Sequence, residues 1–248
     1  MPRRTWLRTL GNTPRAPAAR LVCFPHSGGS AGGFLPWADA LPPGTHLLAA
    51  QYPGRADRLA EPPVPDVRAM SAALAGELLA LAPLPSVLLG HSLGALVAFE
   101  TALALQAAGH APHRLCVSGC KAPAGAAGGR THRAPDDELW SAVAGLGGVA
   151  PDLEDDHELR ELLLPALRSD VTAHETYRPT SGRLHCPVDA FRGADDPLVG
   201  AADLAGWAAV TSGRLVTDVR PGGHFYVGGT ADLAAAVTAV LPMAGTGV

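Results

Sequence analysis

Lysine is almost missing from this chain: Lys121 is the single one among 248 residues, and every other basic side chain is arginine. Charge of either sign is sparse, at 17% of residues, and the net of −4 leaves no basic face for nucleic acid. Cysteine is limited to Cys23, Cys116, Cys120 and Cys186, and no two of them form a C-x-x-C pair. That pattern supports neither a disulfide framework nor a zinc site; it fits buried, reduced thiols in a cytoplasmic protein. No run approaches the ~18 apolar residues of a membrane helix, which excludes a helical span. The opening "MPRRTWLRTLGNTPRAPAAR" is basic but has no continuous apolar segment, so no secretory signal is expected.

What the chain does have is apolar bulk, 47% of its residues, arranged in alternation. Strand-like runs are "LVCFP" (21–25), "HLLAAQ" (46–51), "SVLLG" (86–90), "RLCVSG" (114–119), "PVDAFRG" (187–193) and "RLVTDV" (214–219). Helical text covers 66–82, with Asp66 as N-cap, then 92–108 and about 201–210 and 231–241. Strands alternating with helices predict a single α/β domain over 1–248 with a mostly parallel, doubly wound sheet. The stretch from about 121 to 186 breaks the rhythm, opening with "APAGAAGG" and continuing in charged, helix-prone text. It is too short and too poor in aromatics to fold alone, so it is expected to form a helical lid over one end of the sheet.

One motif stands between a strand and a helix: "GHSLG", residues 90–94. G-x-S-x-G in that setting makes a tight turn, where Gly90 and Gly94 remove side chains that would collide and leave the Ser92 hydroxyl exposed. The helix beginning there aims its amides at developing negative charge. A serine needs a base before it can attack. His224, in "VRPGGHFYVGG", lies on a glycine-rich loop after the last predicted strand, at the sheet end where the serine emerges. His91 is a neighbour of Ser92, but adjacent residues on a sharp turn point apart.

The base in turn needs an orienting acid. "GADDPLV" places Asp195 and Asp196 on the loop after a strand, and Pro197 presses Asp196 into extended backbone without deciding between them. Asp189 is expected inside a strand and Asp170 inside the helical insertion. An oxyanion hole requires the amide of Leu93, after the nucleophile, and a second amide from an earlier loop. "CFPHSGGSAGGF" supplies that loop; it lacks G-x-x-x-x-G-K-[ST], so a nucleotide site is disfavoured, and His26 is read as part of the loop rather than a second base.

"LVCFPHSGGSAGGF", "QYPGRADR", "GHSLGALVAFE", "LLLPALRSD", "GADDPLV" and "GGHFYV" occur in the order found in type II thioesterases, which the chain resembles nearly end to end. The resemblance implies an α/β-hydrolase fold with Ser92, Asp196 and His224 as the catalytic triad and Ser27 and Leu93 as the oxyanion-hole amides. Ser27 stands where the family commonly has alanine, and Leu93 where it commonly has methionine. It further implies hydrolysis of stalled or misprimed acyl groups from the phosphopantetheine arm of an acyl or peptidyl carrier protein. No cofactor, metal, nucleic acid or membrane is implied, and a monomer is expected. A general carboxylesterase or an acyltransferase is the alternative on the same triad. "YPGRADR", with Arg55 and Arg58, marks the family without an evident chemistry and reads from its residues as a solvated turn.

Overall fold

The structure is a computed structural model and describes residues 5–149, 156–228 and 231–242. Seven strands form one sheet: β1 (Leu7–Thr9), β2 (Ala19–Phe24), β3 (Thr45–Ala50), β4 (Ser86–His91), β5 (Arg114–Ser118), β6 (Val188–Gly193) and β7 (Leu215–Arg220). Their order is β1-β3-β2-β4-β5-β6-β7, with β1 antiparallel to β3 and all other pairs parallel. This is the expected α/β sheet. β4 lies between β2 and β5, with Phe24 opposite Gly90 and His91 opposite Ser118, so the loops after these strands emerge on one edge.

Alternation within the strands serves two cores. Val22, Phe24, Leu88 and Val117 face α1 (Val67–Leu79) and α2 (Leu93–Ala107). Leu21, Cys23, Val87, Leu89 and Cys116 face Phe34, Trp37 and α7 (Ala231–Thr238) on the other side. A sheet covered on both faces reads as a continuous apolar run, which is why the central strands were visible without period-two polarity. α1 begins where the sequence places it: the Asp66 carboxylate accepts the Arg68 and Ala69 amides at 2.7 and 2.9 Å. Between β5 and β6 lie α3 (Pro123–Ala126), α4 (Asp136–Ala144) and α5 (His157–Glu175). Leu139 and Trp140 of α4 pack on Leu164 and Leu167 of α5 in a small core of their own. α6 (Ala201–Ala205) runs directly into a 3-10 turn, Gly206–Val210, so the helix expected over 201–210 changes type midway.

Besides short 3-10 turns, β1 and a longer 3-10 helix have no counterpart in the sequence reading. β1 is three residues of Leu-Arg-Thr with no apolar run, held by pairing with β3. Ala31–Ala40 forms a 3-10 helix from glycine-rich text with Pro36 inside it. Its buried Phe34 and Trp37, three apart, share one face at a period of three. All four cysteines are free and buried. No helix among the described residues is long and apolar enough to cross a membrane.

Candidate active site

Ser92 sits between β4 and α2 with φ 52° and ψ −122°, a conformation non-glycine residues rarely adopt. Its flanking glycines are required by space. A Cβ on Gly90 would lie 2.1 Å from the Gly94 carbonyl oxygen, and one on Gly94 would lie 2.0 Å from the Phe24 carbonyl oxygen. These are backbone atoms of the first turn of α2 and of the end of β2, and they cannot move aside. Gly94→Ala is therefore expected to destabilise the protein by about 3 kcal/mol or more. Gly76→Ala, on an open face of α1, should instead stabilise it by roughly 0.5–1 kcal/mol. Urea midpoints of the two variants check the pair.

The loops after β6 and β7 converge on this turn. A Cβ on Gly193 would lie 2.2 Å from the Gly223 carbonyl oxygen, so the two loops touch backbone to backbone. The Ala194 and Asp195 amides donate to the carbonyls of Arg220 and Gly222 at 2.7 and 2.9 Å. The result settles the geometry of the acidic pair: Asp195 is exposed, while Asp196 is buried and accepts from His224 Nδ1 at 2.9 Å. With that proton on Nδ1, His224 Nε2 is left to accept the Ser92 Oγ–H across 3.2 Å. Burial opposes ionisation of Asp196. The hydrogen bond and charge of His224, with the Leu198 and Val199 amides, outweigh it and hold the carboxyl below its usual range.

Asp170 and Asp189 lie elsewhere. Asp189, in β6, pairs with Arg114 at 2.8 Å, and Asp170, in α5, is buried against Arg55. The expectation of a solvated turn around Arg55 and Arg58 is corrected: the two are only 2% and 4% exposed. Arg58 donates to the Gln51 carbonyl at 2.8 Å and to Glu61, and covers the Trp6 ring at 4.6 Å. Local sequence rich in Pro, Gly and Arg is the usual text of a solvated turn; the carboxylate that draws Arg55 inward is 115 residues away.

Ser27 and Ser92 line one cavity of about 560 Å³ with His224. Among the described residues neither the Ser27 nor the Leu93 amide donates a hydrogen bond to the protein. Most of the rest of the wall is small or apolar, as at Ala126, Ala142, Val143, Leu146 and Val171, with Lys121, Thr131, His174 and Glu175 as polar exceptions. Apart from the loop that holds Ser27, much of this lining was invisible in the sequence because α3–α5 deliver it one residue at a time. Among the described residues no three His, Cys, Asp or Glu side chains are grouped to hold a metal ion.

A second histidine layer lies beneath the first. His91 is buried, its ring centroid 5.1 Å from that of His224, with Nδ1 3.0 Å from Ser118 Oγ. Ser118 Oγ is in turn 2.5 Å from Tyr226 Oη. Burial, then the nearby His224 and His26, pushes the His91 pKa well below its usual value, so it is neutral in the fold. The unfolded chain takes up this proton first as pH falls below about 6.5, so stability is complete above that pH and lost below it. One such group gives a slope of up to about 1.4 kcal/mol per pH unit. Urea midpoints between pH 7.5 and 5.5 should fall for wild type and fall less for His91→Asn.

Residues 19–241 match the family described as thioesterase domain. A probable cadicidin biosynthesis thioesterase of Streptomyces griseus is 40% identical over 223 residues, covering 90% of this chain. The chain spans 62% of the length of that relative. Thioesterase PikA5 of Streptomyces venezuelae is 41% identical, covering 90% of this chain and 80% of its own. Among solved structures, the type II thioesterase BorB from the borrelidin biosynthetic cluster superposes with a TM-score of 0.84 at 39% identity, covering 95% of each chain.

Proposed function

The chain belongs to the thioesterase domain family, and we propose that its thioesterase activity clears acyl groups from the phosphopantetheine arm of an acyl or peptidyl carrier protein in secondary-metabolite biosynthesis. The observation that carries this reading is the hydrogen-bonded line Ser92–His224–Asp196 opening onto a largely apolar cavity. His224 Nε2 takes the Ser92 proton as Oγ attacks the thioester carbonyl. The Ser27 and Leu93 amides receive the negative charge that forms on the carbonyl oxygen. As the tetrahedral species collapses, the C–S bond breaks and His224 returns its proton to the leaving thiolate. Water then gives its proton to His224 and attacks the acyl-serine. Ser92 leaves with that proton, and the acyl chain departs as a carboxylic acid. Asp196 stays ionised throughout and holds the imidazole in the required tautomer.

Residues 121–186, of which 150–155 lie outside the described residues, act in this reading as the lid. In support, Ala126, Val143, Leu146 and Val171 of that segment line the same cavity as Ser92. Its glycines are not a loose hinge: Gly128 donates to the Glu175 carbonyl at 3.0 Å, and a Cβ on Gly129 would lie 2.3 Å from Glu175 Oε1. The Glu175 carboxylate also accepts the Thr131 and His132 amides at 3.0 and 2.9 Å, which latches the segment to α5. Glu175→Ala is expected to speed proteolysis within 124–135 and to lower turnover of carrier-bound acyl groups more than turnover of p-nitrophenyl acetate, a substrate that needs little of the cavity. Equal loss on both substrates removes the lid from the mechanism.

The monomeric state and cytoplasmic location expected from the sequence belong to the same reading. Incubating several acyl-carrier proteins with the enzyme and weighing the intact carriers tests it. Loss of the acyl mass with the phosphopantetheine arm retained, and free acid as product, is the expected result. Intact acyl-carriers alongside rapid cleavage of simple oxygen esters would instead identify a general carboxylesterase, and transfer to an added amine or alcohol an acyltransferase.

A further inference from the structure

Asp170 and Arg55 are charged, buried and absent from the steps above. Asp170 is 0% exposed and Arg55 2%. Arg55 Nη2 donates to Asp170 Oδ1 at 2.9 Å, and Nη1 donates to Oδ2. The remaining guanidinium hydrogen bonds go to the carbonyl of Pro53, at 3.2 and 3.3 Å, and to that of Gly29, at 3.4 Å, and the group stands 5.4 Å from the centroid of the Tyr52 ring. Two charges withdrawn from water in this way add little net stability over an apolar pair of the same volume. What an apolar pair lacks is an acceptor for a third group. Asp170 Oδ2 also accepts the Gly28 amide at 2.8 Å, and Gly28 follows Ser27 directly.

The other bonds of this loop converge to the same effect. The Ser27 carbonyl accepts from His26 Nδ1 at 3.0 Å, and the Gly29 amide closes a turn on the His26 carbonyl at 2.9 Å. Gly28 itself has φ +77°. With the Gly28 and Gly29 amides and the Ser27 carbonyl all engaged, Ser27 is the residue of this turn that lines the cavity, and its amide donates to no protein group among the described residues. Asp170 therefore joins the oxyanion loop to α5, and α5 carries the cavity-lining Val171 and His174 within its next turn.

We infer that Arg55 and Asp170 are positioning residues: they fix the Ser27 amide for the oxyanion and couple it to the helix against which the acyl chain rests. This inference rests on the serine mechanism proposed above. Asp170→Asn is one test. It leaves Arg55 as an uncompensated buried charge, which destabilises the fold, so the double change Arg55→Met with Asp170→Leu is the second; it removes both charges together. Each variant is assayed for melting temperature, kcat and KM with an acyl pantetheine thioester. Affinity is measured for a straight-chain alkyl trifluoromethyl ketone, which forms a tetrahedral oxyanion on Ser92, and for the matching alkyl pantetheine thioether, which does not.

The expected result for a folded variant is kcat lower by about 100-fold and ketone affinity lower by a similar factor, with KM and thioether affinity unchanged. A folded double variant with wild-type kcat and ketone affinity overturns the inference, as does a parallel loss of both ligands, which marks a collapsed pocket. Turnover by Ser92→Ala, or failure of the wild type to bind the ketone covalently, would overturn the serine reading itself and so is a separate outcome.

Discussion

Ser92→Ala is expected to fold as wild type does and to lose turnover by about a million-fold, the scale seen when a triad nucleophile is removed from a serine hydrolase. Folding should survive because alanine relieves nothing and adds nothing to the strained turn: the space is set by Gly90 and Gly94, and the Ser92 amide keeps its bond to the Ser118 carbonyl at 2.8 Å. Activity should not survive, because among the described residues no other nucleophile is hydrogen-bonded to His224 Nε2, which faces Ser92 Oγ at 3.2 Å. Cys120 lines the same cavity, but burial and then the Asp196 charge push its thiol far above the range where thiolate forms at neutral pH. Residual activity comes from the oxyanion amides and binding alone. Turnover within tenfold of wild type sinks the account.

Asp196→Asn should cost about 10,000-fold in kcat, with the fold intact and KM little changed. An asparagine can turn its NH₂ toward His224 and so favour the tautomer with the proton on Nε2, where it cannot accept from Ser92. Asp195→Asn, one position away, should behave as wild type because that side chain is exposed and its backbone alone serves the loop through the Gly222 carbonyl. Equal damage from both changes would mean that the loop conformation, not the carboxylate, is what matters. Steady-state kinetics on one thioester with both variants decides it.

Sheet, turn and loop order were legible because each is written locally. β4 is an apolar run, Gly90 and Gly94 bracket the serine, and Asp66 caps α1 with its own side chain. Chain order placed His224 and the acidic pair on the correct edge, since parallel strands deliver their following loops to one side. The choice between Asp195 and Asp196 was a matter of which way a two-residue turn faces. In the structure, backbone contact between Gly193 and Gly223 decides that; in the sequence, only the family resemblance did. Arg55 was misread for a related reason. Its partner lies on α5, and no local pattern distinguishes a buried arginine from a solvated one. The cavity wall was equally hidden, being assembled from single residues of α3, α4 and α5.

The central claim is that the acyl group passes through Ser92, and trapping that intermediate tests it most directly. Wild type and His224→Ala are mixed with an acyl-carrier protein or an acyl pantetheine thioester, quenched in acid within milliseconds to minutes, digested, and the peptides weighed. The account predicts the acyl mass on the peptide that contains Ser92 and on no other, transient in wild type, with Ser92→Ala showing none. Steady turnover with no adduct at Ser92, or the acyl mass on a different residue, would contradict it.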